Sequence, residues 1–392
     1  MSYSTVKSPS STKRRGRPAL AAVAIAALSG LVLAGTLAAA PAASAATKAD
    51  PVQTGLDVLV KDDKFPAALA AVQGRDGRTR DYTAGVADLS TGAKVPVDGQ
   101  VRIASNTKMF TATVVLQLVG EGEIELDRPI EKYVPKLVRG KGVDGREITV
   151  RELLQHTSGL ADYDDVLAKD YLSVQHTYFE PRELLDAALT STNSPSHGWS
   201  YSNTNYVVAG LIVQKVTGRP ISEEITKRII EPLGLRKTYW PALGDQSIRG
   251  PHPKGYFATK PGDPYADVTT MDPSMAWAAG QLISSPSDLN RFMSALLDGK
   301  LLKPAQLKQM KTTVDAPGFD PTGKARYGLG IATFKLSCGG FAWTHGGSSP
   351  GYGTANAVTE DGRAATIAVT ALPTSLPAYK HFEAVLDTAL CG

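Results

Sequence analysis

Three short constellations in the 392-residue chain carry side chains suited to acyl transfer. Ser105-Asn106-Thr107-Lys108 spells S-x-x-K, and a spacing of three along a helix puts hydroxyl and amine on one face. A neutral lysine amine there can take the serine proton, and an ammonium can stabilise the deprotonated oxygen. Taken alone, the pattern reads far more readily as a helix-capping serine followed by a surface lysine, and Ser4/Lys7 and Ser10/Lys13 match it too. The partners have to decide. Tyr201-Ser202-Asn203 is the only Y-x-N of the chain and His345-Gly346-Gly347 the only H-x-G. A phenol with a pKa near ~10 is about 0.1% ionised at pH ~7, so Tyr201 serves as a base only if cations such as Lys108 lower that value. Asn203 can accept from and donate to a substrate amide. Gly346 and Gly347 let a strand edge approach a bound carbonyl, where a backbone N–H could join that of Ser105 in an oxyanion hole.

Competing chemistries fit less well. Gly347-Ser348-Ser349-Pro350-Gly351 satisfies G-x-S-x-G, but that nucleophile elbow needs a helix straight after it, whereas Pro350 and a strand-like stretch follow Ser349. The six histidines show no metal-ligand spacing, so a structural role is expected for all except His345, and neither metal nor cofactor is expected. Asp162, Asp164 and Asp165 near Tyr163 read as a solvated acidic loop rather than as a catalytic pair.

The elements that must position these residues can be read from periodicity. A helix at about 52–62 precedes a strand pair, Ala67 to Gln73 and Arg80 to Ala87, turning at Arg75-Asp76-Gly77. Ser105 to Val119 reads as a helix, because Met109, Ala112, Leu116 and Val119 recur at helical spacing and Gly120 and Gly122 stop it. Further helices are expected at 149–156, 180–189, 205–217, 221–231, 287–298 and 304–312. Strands return at Tyr327 to Leu336, Gly340 to Thr344, Tyr352 to Val358 and Ala364 to Ala371, and Tyr379 to Ala389 closes the chain as a helix. The expected class is α+β: one antiparallel sheet built from both ends of the chain (46–103 and 270–392), flanked by helices, with a mostly helical insertion at 104–269 and a cleft between them.

Residues 1–45 read as an export signal. Basic Lys13-Arg14-Arg15-Gly16-Arg17 precedes an apolar run from Ala19 to Ala40, and Ala43-Ser44-Ala45 offers a cleavage site, so the mature chain is expected to start at Ala46 and be secreted. From there on 37 Lys+Arg face 38 Asp+Glu, a balance without the basic footprint of a nucleic-acid binder. A membrane role is expected only through the signal, and a monomer is expected. In an oxidising compartment Cys338 and Cys391 read more readily as a disulfide than as a metal site, with two unpaired buried thiols as the alternative. Closing the loop between them would add roughly 4 kcal/mol in the chain-entropy picture.

Taken in order, Ser105/Lys108, Tyr201/Asn203 and His345/Gly347 resemble the three motifs of the penicillin-recognising serine hydrolases, in the branch of class C β-lactamases and exported D-alanyl-D-alanine carboxypeptidases. Leu153 to Leu160 and Ala279 to Ser285 are similar to recurrent segments of that branch, so the likeness runs through nearly the whole mature chain. It implies a β-lactamase/transpeptidase-like fold, an acyl-enzyme on Ser105 and proton transfer by Lys108 and Tyr201. It also implies an oxyanion hole from the N–H groups of Ser105 and Ser348, with His345 near Tyr201 and tuning it. The pairing of Cys338 with Cys391 is likewise similar to a disulfide of the exported carboxypeptidases.

Two positions depart from those carboxypeptidases, which hold the substrate's terminal carboxylate with a Thr after the motif His and an Arg shortly before the first Cys. Here these are Gly346 and Ala332. The resemblance favours a D-alanyl-D-alanine carboxypeptidase acting on peptidoglycan-like peptides, with β-lactams as possible ligands. A β-lactamase, a D-aminopeptidase or an esterase on the same scaffold is the alternative, and a catalytically silent binding module stands outside that class.

Overall fold

The computed structural model describes residues 49–140, 142–191, 198–260, 262–320 and 323–392. The expected export signal and His197 lie outside them. Six helices matter for the site: α1 (Pro51–Lys61), α2 (Thr107–Glu121), α3 (Val150–Gln155), α4 (Thr204–Thr217), α5 (Pro286–Leu297) and α6 (Leu376–Cys391). The main sheet takes β1 (Ala67–Gln73), β2 (Thr79–Asp88) and β3 (Ala93–Lys94) from one end of the chain. From the other end it takes β4 (Val314–Asp315), β5 (Arg326–Tyr327), β6 (Ala332–Lys335), β7 (Phe341–Thr344), β8 (Gly347–Ser349), β9 (Tyr352–Thr359) and β10 (Ala364–Val369).

Antiparallel order runs β4-β5-β6-β7-β9-β10-β1-β2-β3, with β8 paired to β9 alone. The two chain ends meet where β1 pairs with β10, Ala68 opposite Val369 and Gln73 opposite Ala364. Side chains alternate along β1. Ala67 and Leu69 enter a core with Phe292 and Met293 of α5, whereas Ala68 and Ala70 enter one with Leu56, Leu59, Phe382 and Val385 of α1 and α6. Both faces are therefore covered, which is why this strand is a continuous apolar run rather than an alternating one. α1 and α6 also touch closely, since a Cβ on Gly55 would fall 2.8 Å from Val385.

The first of these cores also holds α2, whose residues 107 to 116 are all buried. A helix buried on every side lies inside the molecule, and Phe110 stacks on Phe292 of α5 with centroids 3.7 Å apart. Cys338 and Cys391 form a disulfide, with Cα atoms 5.6 Å apart, tying the β6–β7 hairpin to the end of α6.

The expected strand Tyr327 to Leu336 is interrupted. Gly328 N–H donates to Ile331, Leu329 N–H to Met310 and Gly330 N–H to Leu154, so the chain folds into β5 and β6 as a hairpin around Gly330 at φ +80°. The apolar run is genuine, but its middle residues bind other segments. The helix expected at 221–231 is likewise broken by a wider π turn over Thr226–Ile230 ahead of Pro232, which has no N–H to donate.

Candidate active site

Ser105 lies on a 3-10 turn, Ala104–Asn106, leading into α2. The residue before it, Ala104, adopts φ +45°, a left-handed conformation that costs a residue with a Cβ about 1–2 kcal/mol. Asn106 fixes the turn from below: Nδ2 donates to Ile103 O at 2.8 Å and to Thr354 Oγ1 of β9 at 2.6 Å. One helical turn on, fully buried Lys108 donates from Nζ to Ser105 Oγ at 3.0 Å, Asn203 Oδ1 at 2.7 Å and Ala279 O at 2.9 Å. Burial pushes its amine down to about 7 against the opposing pull of Asp162 and Asp164. Near neutrality it therefore holds its proton only part of the time.

Tyr201 stands within hydrogen-bonding reach of Ser105, with Lys108 Nζ 4.9 Å from its ring centre. Its phenol is pushed well above its ordinary pKa, chiefly by burial, with the Ser105 hydrogen bond opposing. Sequence reasoning required Lys108 to lower that value. Burial dominates instead, so the lowered group is the buried amine and not the phenol.

His156 closes α3 at φ +62° and its ring stacks on Tyr201 with centroids 4.3 Å apart. The ring is neutral: burial holds its pKa well below the usual value, with Lys108 adding to the effect, and Nδ1 accepts from Ser202 N–H at 3.2 Å. The segment Leu153 to Leu160 thus supports Tyr201 from beneath, and Ala279 of the segment Ala279 to Ser285 holds Lys108.

Asn203, expected to meet a substrate amide, lies beside Lys108 with its own amide engaged within the protein. Nδ2 donates to Asp162 Oδ2 at 3.2 Å and Asp164 Oδ2 at 2.8 Å, and its backbone N–H to Asp162 Oδ2 at 3.0 Å. Both side-chain donors are used, so a substrate amide finds none of them free. Asp162 and Asp164 correspondingly are not a solvated loop. Both are raised by burial, Asp164 to about 7, and only Asp165 of the three is exposed.

His345 is 1% exposed and follows β7; its Nε2 lies 2.9 Å from Tyr327 Oη and its Nδ1 2.6 Å from Gly346 O. Burial lowers its pKa to about 3, with Lys108 adding to the effect, so it is neutral at working pH. Its ring centre is 6.3 Å from that of Tyr201, and its hydrogen-bond partner is Tyr327, a residue sequence reasoning placed in a strand without assigning it to the site. Gly347, Ser348 and Ser349 form β8, pairing Ser348 with Gly353. A Cβ on Gly347 would fall 2.2 Å from Ile103 O, so only glycine lets this edge lie against the turn that carries Ser105. Gly346 has room, its nearest contact being Thr354 O at 3.4 Å. After Ser349 the chain turns at Gly351, φ +89°, into strand β9, so the helix that a nucleophile elbow demands is absent there.

Comparison with known proteins agrees with this fold. The Beta-lactamase family pattern matches residues 52–390, and the chain belongs to that family. A D-stereospecific amidohydrolase from Streptomyces sp. superimposes with a TM-score of 0.77 at 38% identity, over 85% of this chain and 97% of that one. The D-amino acid amidase of Ochrobactrum anthropi SV3 gives 0.75 at 29%, over 86% and 96%. Penicillin-binding protein 4 of Amycolatopsis lactamdurans is 29% identical over 63% of this chain and 63% of its own length. The esterase EstB of Burkholderia gladioli is 31% identical over 50% and 51%. The chain thus spans under two thirds of these curated relatives. Membership of that family, with amidohydrolase and amidase likenesses over nearly the whole of those chains, supports a serine hydrolase.

Proposed function

We propose that this serine hydrolase cleaves amides of D-amino acids whose leaving group carries no charge, with Ser105 as nucleophile and Lys108 as the group that takes its proton. The reading rests above all on Ala332. That residue is fully buried and clusters with Ala316, Tyr327, Trp199 and Phe319, while Gly346 brings no side chain. Neither position offers a cation, and holding a carboxylate unpaired in a desolvated site costs several kcal/mol, a cost that a neutral amide avoids. The amidohydrolase and amidase likenesses, which extend over nearly all of those chains, support the same choice.

In this reading neutral Lys108 accepts the Ser105 proton as Oγ attacks the carbonyl carbon, and the N–H groups of Ser105 and Ser348 take the oxyanion. The Lys108 proton then reaches the departing amine through the un-ionised Tyr201 phenol, leaving an ester on Ser105. Water reverses the sequence. His345 and His156 stay neutral and take no part in the proton relay; they hold the aromatic wall around Tyr201. The residues before Ala46 would direct the enzyme outside the cell.

The second reading, the carboxypeptidase, keeps the same machinery and needs a carboxylate partner other than the residues at 332 and 346. Ammonia release from D- and L-phenylalanine amide, set against D-alanine release from a D-Ala-D-Ala peptide, separates the two. We expect D-amide turnover that is lost in Ser105→Ala; D-alanine release without amide turnover would overturn the proposal in favour of the carboxypeptidase.

A further inference from the structure

Asp162 and Asp164 touch none of the reacting atoms, yet only one side chain separates them from Lys108. The Asn203 amide bridges the gap, its oxygen on the lysine at 2.7 Å and its nitrogen on Asp162 Oδ2 at 3.2 Å and Asp164 Oδ2 at 2.8 Å. Turned over, that amide would aim N–H groups at the amine and its oxygen at two carboxylates. The carboxylates therefore dictate which end of Asn203 the lysine meets. They also supply the negative charge that opposes the desolvation of Lys108.

We propose that Asp162 and Asp164 are positioning residues that, through Asn203 and through their own charge, set the pH at which Lys108 becomes a proton acceptor. The inference rests on the reading of Lys108 as the acceptor. The other groups facing the amine are Tyr201 and Tyr206, with ring centres 4.9 and 5.6 Å away, and His156 and His345, both neutral and both depressed further by Lys108. Around the carboxylates stand Asp165 and Tyr163. None of these neighbours brings a second cation to the amine, so the acids are its counter-charge. Burial of Asp164 beside Asp162 raises its own pKa to about 7, in the range where Lys108 titrates. Proton loss from one group thus changes the other's affinity for its proton.

The test is Asp164→Asn, which keeps an oxygen for Asn203 and removes the charge. Losing negative charge disfavours the ammonium, so the amine form persists to lower pH. The acid limb of kcat/KM should move down by roughly 0.5–1 pH unit, giving ~3–10-fold more activity below it. Asp164→Glu should restore the parental limb, and exposed Asp165→Asn should leave it in place. Asp162→Asn carries the same expectation should the first variant fold poorly. A uniform loss of activity at every pH, with an unmoved limb, would make the pair merely structural and overturn the inference. Titration of ε-13C-labelled lysine by NMR, with the Lys108 signal assigned by its loss in Lys108→Arg, separates the two claims. An unmoved Lys108 titration in Asp164→Asn refutes the coupling. A titration that moves without moving the rate profile refutes Lys108 as acceptor and leaves the coupling standing.

Discussion

Replacing Gly347 by Ala tests whether the site depends on backbone placement. A Cβ at this position would lie 2.2 Å from Ile103 O, 2.6 Å from Thr354 Oγ1 and 2.7 Å from Asn106 Nδ2. These same three groups hold one another, because Asn106 Nδ2 donates to both oxygens, so none can yield without loosening the Ser105 turn. Ordinary contact begins near 3.4 Å. Strand β8 must therefore retreat by about 1 Å, a displacement that can cost ~10²-fold when it moves a reacting group. If Ser348 N–H is an oxyanion donor, its withdrawal should lower kcat by ~10²–10³. Steady-state kinetics with a small amide at saturation, alongside urea unfolding, reads both quantities. Gly346→Ala is the matched control, since its nearest neighbour stands at 3.4 Å, and it should stay close to the parent. A folded Gly347→Ala enzyme with parental kcat, or a Gly346→Ala enzyme equally impaired, would refute the reasoning.

Lys108 sits near 7, and below that pH it carries the proton it must accept, so kcat/KM should fall about tenfold per pH unit on the acid side. Lys108→Arg stays charged throughout, so it should lose ~10²–10⁴ in rate with no recovery at high pH; recovery would contradict the role. Cys338→Ser with Cys391→Ser should lower unfolding free energy by about 2–4 kcal/mol in urea titrations while leaving KM unchanged, as the bridge lies at the β6–β7 hairpin and the end of α6. His345 is depressed to about 3 and His156 is lowered well below its usual value. The folded state therefore refuses protons that the unfolded state accepts near ~6.5, and the stability present above that pH is lost as pH falls toward ~3. His345→Asn should flatten the decline in urea midpoint across that window, and an unchanged slope would count against it.

The parts of this arrangement that were legible in the sequence are local. Ser105 and Lys108 announce themselves because three residues on a helix share a face, and the sheet of two chain ends follows from apolar runs at 67–73 and 364–371 with helices between. Hydrogen bonding across long separations was not legible. Asn203 meets Asp162 and Asp164 across 41 and 39 residues, and without that partner an Asp-Tyr-Asp-Asp run reads as solvated. Tyr327 reads as a strand residue, and its hydroxyl finds His345 only because the chain folds back at Gly330. Tyr201 lies within hydrogen-bonding reach of Ser105, but the condition that a cation lower its pKa is not met, since sequence shows the nearby cation and hides the burial that raises the phenol.

The most direct test is the position of the covalent intermediate. The intact protein is incubated with a slowly deacylating β-lactam or activated ester, quenched in acid, digested and mapped by mass spectrometry. The account predicts a single acyl group on the peptide containing Ser105, absent from Ser105→Ala, which should also lose turnover. An adduct on Ser349, or full turnover by Ser105→Ala, would contradict it.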